Sequence, residues 1–404
     1  MALMPVADAL AAVLAGAEPL PEEMIALDAA YHRVLVRDVA ALRTQPPQAM
    51  SAMDGYAVRS IDAPHAAAWL KVIGEIAAGR PFERAVGAGE AVRIFTGGVI
   101  PDGADAVIIQ EDTVIEGGGI TITEAVILRG RHIRPAGVDF HEGDMLLAAG
   151  HRLTDRDLSL AAGMNHPHLA VRRRPRVAIL ATGDELVMPG ETPGPGQIVY
   201  SNGYALRALA RDEGAETIDL GIATDTIEAT TDGIRRARDL GADVLVTTGG
   251  ASVGDHDLVK RSLEAEGVAM AFWRIAMRPG KPMMHGRLGD MRVIGLPGNP
   301  VSAYVCGFLF LVPLIRALSG RADIHHVSET ALLGRPVAAN DMREDYLRAR
   351  LEVRSDGVLM ATTVNHQDSS LLGNLAAAQA LVIRAPFAPA AAAGSSCSFL
   401  RLPG

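Results

Sequence analysis

Asp243-Val244-Leu245-Val246-Thr247-Thr248-Gly249-Gly250-Ala251-Ser252-Val253-Gly254-Asp255-His256-Asp257 is a short apolar run that ends in glycines and carboxylates. A run of this length, rich in β-branched residues and closed by a turn signal, predicts a strand over 243–248 buried on both faces. A helix is expected next, over 257–266. Upstream, a strand over 177–181 ends in Thr182-Gly183-Asp184-Glu185, and a helix follows over 203–212 with Asn202 as its cap. A strand over 217–222 and a helix over 226–240 complete that side. Downstream, the strand 291–296 runs into Pro297-Gly298-Asn299-Pro300 and the apolar run Val301 to Leu318. Strands alternating with helices of ten to fifteen residues predict an α/β domain whose mostly parallel sheet is covered on both faces. The apolar run contains Ser302 and Pro313 and is short for a membrane span, so it reads as a buried core helix.

The chain of 404 residues exceeds what one core organises, so further domains are expected around this one. The first forty residues read as helical or mixed pieces, with Val6, Leu10, Val13 and Leu14 at helical spacing and a strand-like Tyr31-His32-Arg33-Val34-Leu35-Val36. From 45 to 140, short alternating runs such as Trp69-Leu70-Lys71-Val72-Ile73 and Ala106-Val107-Ile108-Ile109 predict a β-rich unit. A helix over 153–164, opened by Thr154, is expected to pack with the N-terminal helix, which makes the β unit an insertion. Arg172-Arg173-Arg174-Pro175 reads as a solvated hinge. Short strands resume beyond 325 and predict a small C-terminal β domain. The expected domains are 1–44 with 141–170, then 45–140, 171–325 and 326–404.

Composition narrows the function. A net charge of −9 argues against a nucleic-acid partner, since a protein that neutralises many phosphates carries a basic surplus. Apolar residues make up 49 % and charged residues 21 %, the balance of a folded soluble chain. The two cysteines, Cys306 and Cys397, cannot build a disulfide framework or a multi-thiolate zinc site, which fits reducing cytoplasm. Met1 to Leu20 has no Lys or Arg and so lacks the basic start of a secretory signal.

In an open parallel sheet, ligands bind beyond the carboxyl ends of the strands. Three such ends carry chemistry here: Thr182 to Glu185, Thr247 to Gly250, and Pro297 to Pro300. Gly249, Gly250 and Gly254 let the backbone approach an anion, the next helix offers free N–H groups, and Thr248 and Ser252 add hydroxyls. A lone Gly-Gly reads as an ordinary strand–helix turn; beside Glu185, Asp255 and Asp257 it reads as a site. Neither a Gly-x-x-x-x-Gly-Lys-Ser/Thr loop nor Gly-x-Gly-x-x-Gly after the first strand is present. Magnesium, held by one or two carboxylates, would reconcile acidic residues with a phosphorylated ligand. Arg274, Arg278 and Lys281 supply cations, the first two expected on the same side.

Ser51-Ala52-Met53-Asp54-Gly55-Tyr56-Ala57-Val58-Arg59, Phe95-Thr96-Gly97-Gly98, Ala181-Thr182-Gly183-Asp184-Glu185-Leu186, Gly249 to Asp255, Pro279-Gly280-Lys281-Pro282 and Leu296-Pro297-Gly298-Asn299-Pro300 occur in that order. This set resembles the molybdopterin molybdenumtransferases, the MoeA and gephyrin E-domain family. The resemblance implies a MogA-like three-layer α/β domain at 171–325, a C-terminal β-barrel, a small helical or mixed N-terminal domain and the β-rich insertion. It implies a homodimer that inserts molybdate into adenylylated molybdopterin and releases AMP with Mg2+, together with other molybdenum-cofactor proteins. By motif position, Asp54, Thr96, Glu185 and Asp257 would be catalytic, Glu185 and Asp257 also holding the metal. Thr248, Gly249, Gly250, Ser252, Gly254, Arg274, Arg278, Lys281, Pro297, Pro300, Arg348 and Ser369 would bind substrate. Arg348 and Ser369 would come from the neighbouring subunit.

Four positions depart from the family's usual residues. Arg274 and Arg278 replace common lysines, Tyr200 stands where an aspartate is frequent, and Asp368 stands where glycine is common. Two other readings are open: an adenylyltransferase that activates molybdopterin with ATP, and a non-catalytic scaffold of gephyrin type. The extra β domains speak against the first. The lack of a visible long linker or fused second enzyme domain speaks against the second.

Overall fold

The computed structural model describes residues 3–77, 79–124, 126–249 and 258–403, with only the backbone for 271–273. Helix α1 (Val6–Leu14) opens the chain, and β1 (Glu22–Ala26) follows. An inserted six-stranded sheet comprises β2 (Gly55–Val58), β3 (Trp69–Ile76), β4 (Glu90–Ile94), β5 (Ala106–Ile109), β6 (Thr113–Glu116) and β7 (Gly119–Ile122), in the order β5-β2-β4-β3-β7-β6. Helix α2 (Asp155–Gly163) and β8 (His168–Arg172) return to β1, with which β8 pairs antiparallel. Thr154 and Asp157 form a reciprocal capping box at the start of α2.

Two expectations fail in this part. Tyr31 to Val36 is not a strand: its backbone bonds go to three different partners, Leu35 N–H to His151, Val36 N–H to Ala170, and the Arg33 carbonyl from Leu153. His32 at φ 61° breaks the extended run. Helix α1 does not pack on α2. Its buried Ala9 and Val13 join the core of the α/β domain, whereas α2 packs with Leu35, Phe140 and Leu169.

That domain contains β9 (Arg176–Thr182), α3 (Asn202–Asp212), β10 (Glu216–Ala223), α4 (Ile227–Asp239), β11 (Val244–Thr248), α5 (Leu258–Ala265), β12 (Ala269–Arg274), β13 (Met277–Arg278), β14 (Pro282–Leu288), β15 (Met291–Leu296) and the helix α6 (Pro300–Leu318). The sheet runs β10-β9-β11-β15-β14-β12: the first four strands are parallel and the last two antiparallel. One apolar cluster joins α3 and α6 to one face, and a second joins α4 and α5 to the other. Burial on both faces is what the unbroken apolar run of β9 requires. Ser201, not Asn202, precedes α3 as its cap residue. Helix α6 is long and apolar enough to cross a membrane, but 89 % of it is buried within the fold, and it forms the domain's central core element.

The C-terminal domain holds β16 (Ser328–Leu333), β17 (Glu344–Val353), β18 (Leu359–Thr363), α7 (Leu372–Ala376), β19 (Ala380–Arg384) and β20 (Ser396–Arg401). Its strands follow the circuit β17-β18-β16-β20-β19 and close through pairing of β19 with β17. The result is the expected barrel, a five-stranded one. The short β13 leaves the α/β domain and pairs with the start of β17.

Candidate functional site

The strand ends of β9, β11 and β15 converge on a cleft of about 640 Å³. Thr182 and Glu185 come from the first, Thr248 and Gly249 from the second, and Pro297 to Pro300 from the third. Convergence requires close backbone approach. Gly249 has φ 92°, and a Cβ there would collide with the Thr182 carbonyl, so no other residue fits between the two strand ends. The Asn202 side chain donates to the Gly298 carbonyl at 2.7 Å and ties the start of α3 to the third loop. Asn202 therefore serves as a brace across the cleft rather than as the helix cap.

Glu185 is exposed at the cleft and folds over Gly183, where a Cβ would lie 2.5 Å from its carboxylate. Gly183 has φ 146°, so the missing side chain leaves a cradle for that carboxylate. A hard oxygen donor in an open cleft suits a magnesium ion. Among the described residues no group of three His, Cys, Asp or Glu could hold a metal. Asp257, the second expected metal ligand, lies outside the described residues, as do Gly250, Ser252, Gly254 and Asp255.

The wall opposite the strand ends comes from the C-terminal domain of the same chain. Ser370 and Leu372 line the cleft, and the Ser369 carbonyl accepts the Val301 N–H at 3.0 Å at the start of α6. Arg348, on β17, donates from Nη2 to the Asp368 carbonyl at 3.1 Å, just behind that wall. Arg348 and Ser369 were expected from a neighbouring subunit; the loop 366–372 packs on its own α/β domain instead. Arg348 is fully buried, and its Nε and Nη1 have no partner among the described residues. Burial pulls its pKa down.

The basic cluster is split. Arg274 and Lys281 line a different cleft with Val6 and Glu344. Arg278 sits on β13, where its Nε donates to Asp345 at 2.8 Å, and this ion pair raises its pKa. A turn at Ile275 and Ala276, rather than a continuing strand, separates the two arginines, so they do not share a side. Asp54 and Thr96 form a pair of their own on the inserted domain: Asp54 accepts the Thr96 N–H at 2.7 Å and its hydroxyl at 2.8 Å. Both bonds hold the exposed Asp54 carboxyl below its usual range. Neither residue lines the strand-end cleft.

The departures have structural roles. Tyr200 is buried in the cleft wall, its hydroxyl without a partner among the described residues, and burial pushes its pKa up to about 12. A Cβ at Gly203 would collide with that hydroxyl, so glycine on the first turn of α3 makes room for the ring. Asp368 accepts the Ser370 N–H at 2.8 Å and hydroxyl at 2.6 Å, which fixes the turn that presents Ser370. Reading the sequence did not single out Ser370 or the Asn202 brace. The available signal was the Asp-x-Ser spacing of an Asx turn.

Comparison with known proteins covers almost the whole chain. Three family models match: "MoeA N-terminal region (domain I and II)" over 4–164, "Probable molybdopterin binding domain" over 178–317 and "MoeA C-terminal region (domain IV)" over 330–402. A protein of Haemophilus influenzae named molybdopterin molybdenumtransferase is 37 % identical over 357 residues, 87 % of each chain. Its namesake in Bacillus subtilis is 34 % identical over 368 residues, 89 % of this chain and 85 % of that one. A crystal structure of a molybdopterin biosynthesis MoeA protein from Pyrococcus horikoshii superposes with a TM-score of 0.83 at 30 % identity, covering 100 % of both chains. With its strand-end cleft, inserted sheet and closed barrel matched in one continuous order, the chain belongs to the MoeA family of molybdopterin molybdenumtransferases.

Proposed function

We propose that this enzyme of molybdenum-cofactor biosynthesis takes adenylylated molybdopterin and molybdate, inserts molybdenum at the dithiolene and releases AMP. The observation that carries the reading is the convergence of three strand ends and the Ser369–Ser370 turn on one cleft. Its glycine-bearing edge at Thr248 and Gly249 suits the phosphate end of the ligand, since backbone N–H groups can approach an anion there. Arg348, with donors to spare behind the wall, would attract an oxyanion towards Ser369 and Ser370. Glu185, with Asp257, would hold Mg2+. That ion would neutralise the phosphates and polarise the phosphoanhydride when bound. The chain's own share of the chemistry is placement of two anions side by side in a cleft braced at Asn202.

The Asp54–Thr96 pair stands outside this cleft, and a second subunit could bring it there; a cytoplasmic homodimer with a shared site is the assembly this reading requires. Sedimentation should therefore give a dimer, and a monomer would remove the shared site. Incubation with adenylylated molybdopterin, molybdate and Mg2+ should yield AMP and a molybdenum-loaded pterin. Adenylylation of molybdopterin from ATP, without insertion, would overturn the assignment. Asp257→Ala should abolish insertion with circular dichroism unchanged. Full cofactor production by that variant in a cell lacking its own transferase would exclude the residue.

A further inference from the structure

One end of the C-terminal barrel opens into a cavity of about 560 Å³ with both polar and apolar walls. The end of β16, the start of β17, and the ends of β18 and β19 all meet there. Alternation along β17 puts Leu347 in the barrel core and Asp345 above it at the rim. Three arginines line this mouth: Arg278, Arg335 and Arg384. The one lining carboxylate, Asp345, is taken by Arg278.

Among the described residues, the other two guanidiniums meet only neutral acceptors. Arg335 donates from Nη1 to the Thr363 carbonyl at 3.1 Å and to the Asn365 side-chain oxygen. Arg384 donates from Nη2 to the Ala338 carbonyl at 3.4 Å and to the Pro389 carbonyl, and its Nε is buried with no partner among the described residues. Several arginines elsewhere are tied to carboxylates: Arg173 to Asp243, Arg207 to Asp219, Arg316 and Arg321 to Glu213, and Arg401 to Glu329. The mouth thus gathers two uncompensated positive charges on one cavity.

We propose that the barrel mouth is a binding site for a phosphate group, either free or carried by a small phosphate monoester. A phosphate monoester approaches two negative charges as its second proton leaves near pH ~6, matching Arg335 and Arg384 in number. Each guanidinium presents a planar fork that suits two phosphate oxygens. Asn365, Gln367 and the apolar Val337 leave room for a small attached group, and barrel mouths are a recurring place for ligands. No residue is shared with the strand-end cleft, and Arg335 and Arg384, on which the site rests, have no part in the transferase reading.

The test is calorimetric titration of the full chain with inorganic phosphate and, separately, with glycerol 3-phosphate. Arg335→Gln and Arg384→Gln should each weaken binding about tenfold, the loss of one charged hydrogen-bond donor set. Arg335→Lys, which keeps charge but not the fork, should recover part of the loss. Tighter binding of the ester identifies it as the ligand, whereas equal or weaker binding identifies the free ion. In the unaltered protein, either probe should protect Arg335 and Arg384 from phenylglyoxal, mapped by peptide mass, a readout that needs no variant to fold. No saturable binding, unchanged binding in both Gln variants, or protection confined to residues outside the barrel mouth would overturn the proposal.

Discussion

Two groups of buried arginine face opposite situations. Where α3 ends against the end of α6, Glu213 accepts from Arg316 at 2.7 and 3.0 Å and from Arg321 at 2.5 Å, all within a nearly closed pocket. In the barrel wall, Arg348 is equally buried yet has, among the described residues, a single backbone acceptor and no carboxylate within bonding distance. The first arrangement spends its donors on the fold, fixing the end of α3 to the end of α6. The second keeps donors in reserve beside a cleft. Buried charge is therefore no single quantity in this molecule, and its partners tell which role it has.

The sharpest way to break that contrast is Glu213→Gln, which takes the carboxylate from Arg316 and leaves Arg321 with Asp323 alone. A loss of about 3–5 kcal/mol in urea unfolding is expected, as for removal of one partner from a buried ion network. A loss under about 1 kcal/mol would mean that water already serves the cluster, and the two regions would then be alike. Next comes Arg348→Met. With unsatisfied donors removed and the stem volume kept, unfolding should become harder by about 1–3 kcal/mol while molybdenum insertion falls. Destabilisation of that size would show instead that Arg348 is a structural member of the barrel. Asp368→Asn should do least, within about 0.5 kcal/mol, because an amide oxygen can still take the Ser370 bonds. If insertion collapses in Asp368→Asn, its charge acts on Arg348 and the second region is a paired one after all.

Much of the architecture was legible because it rests on local patterns. The strands over 243–248 and 177–181 were readable because Val244 to Val246 and Val177 to Ala181 are unbroken apolar runs, and the loops at their ends were visible as glycine and carboxylate clusters. The helix expected over 226–240 is α4, and Thr226 proves to be its cap residue, accepting the Ala229 N–H at 3.2 Å. What failed depended on partners far along the chain. Tyr31 to Val36 has strand-like composition, but composition cannot say that its bonds will be divided between two distant segments, 150–153 and 170–172. Arg274 and Arg278 are four apart, yet β13 is captured by the barrel and turns the second away from the first. Ser369 and Ser370 join the cleft of their own chain because of one backbone bond to Val301, which no motif encodes. Arg335 and Arg384 meet only because the barrel closes.

Closure of that barrel also bears on how the molecule behaves in a crowded solution. A closed barrel has no unpaired strand, so its backbone offers nothing for another chain to extend. The inserted sheet differs: it ends on β6, a four-residue strand paired on one side only, with Ile115 75 % exposed. Shortness and the charge of Glu116 next to it are the protections such edges use. Under concentration or mild heating, self-association should therefore start at β6, and Ile115→Lys is the surface change that would delay it.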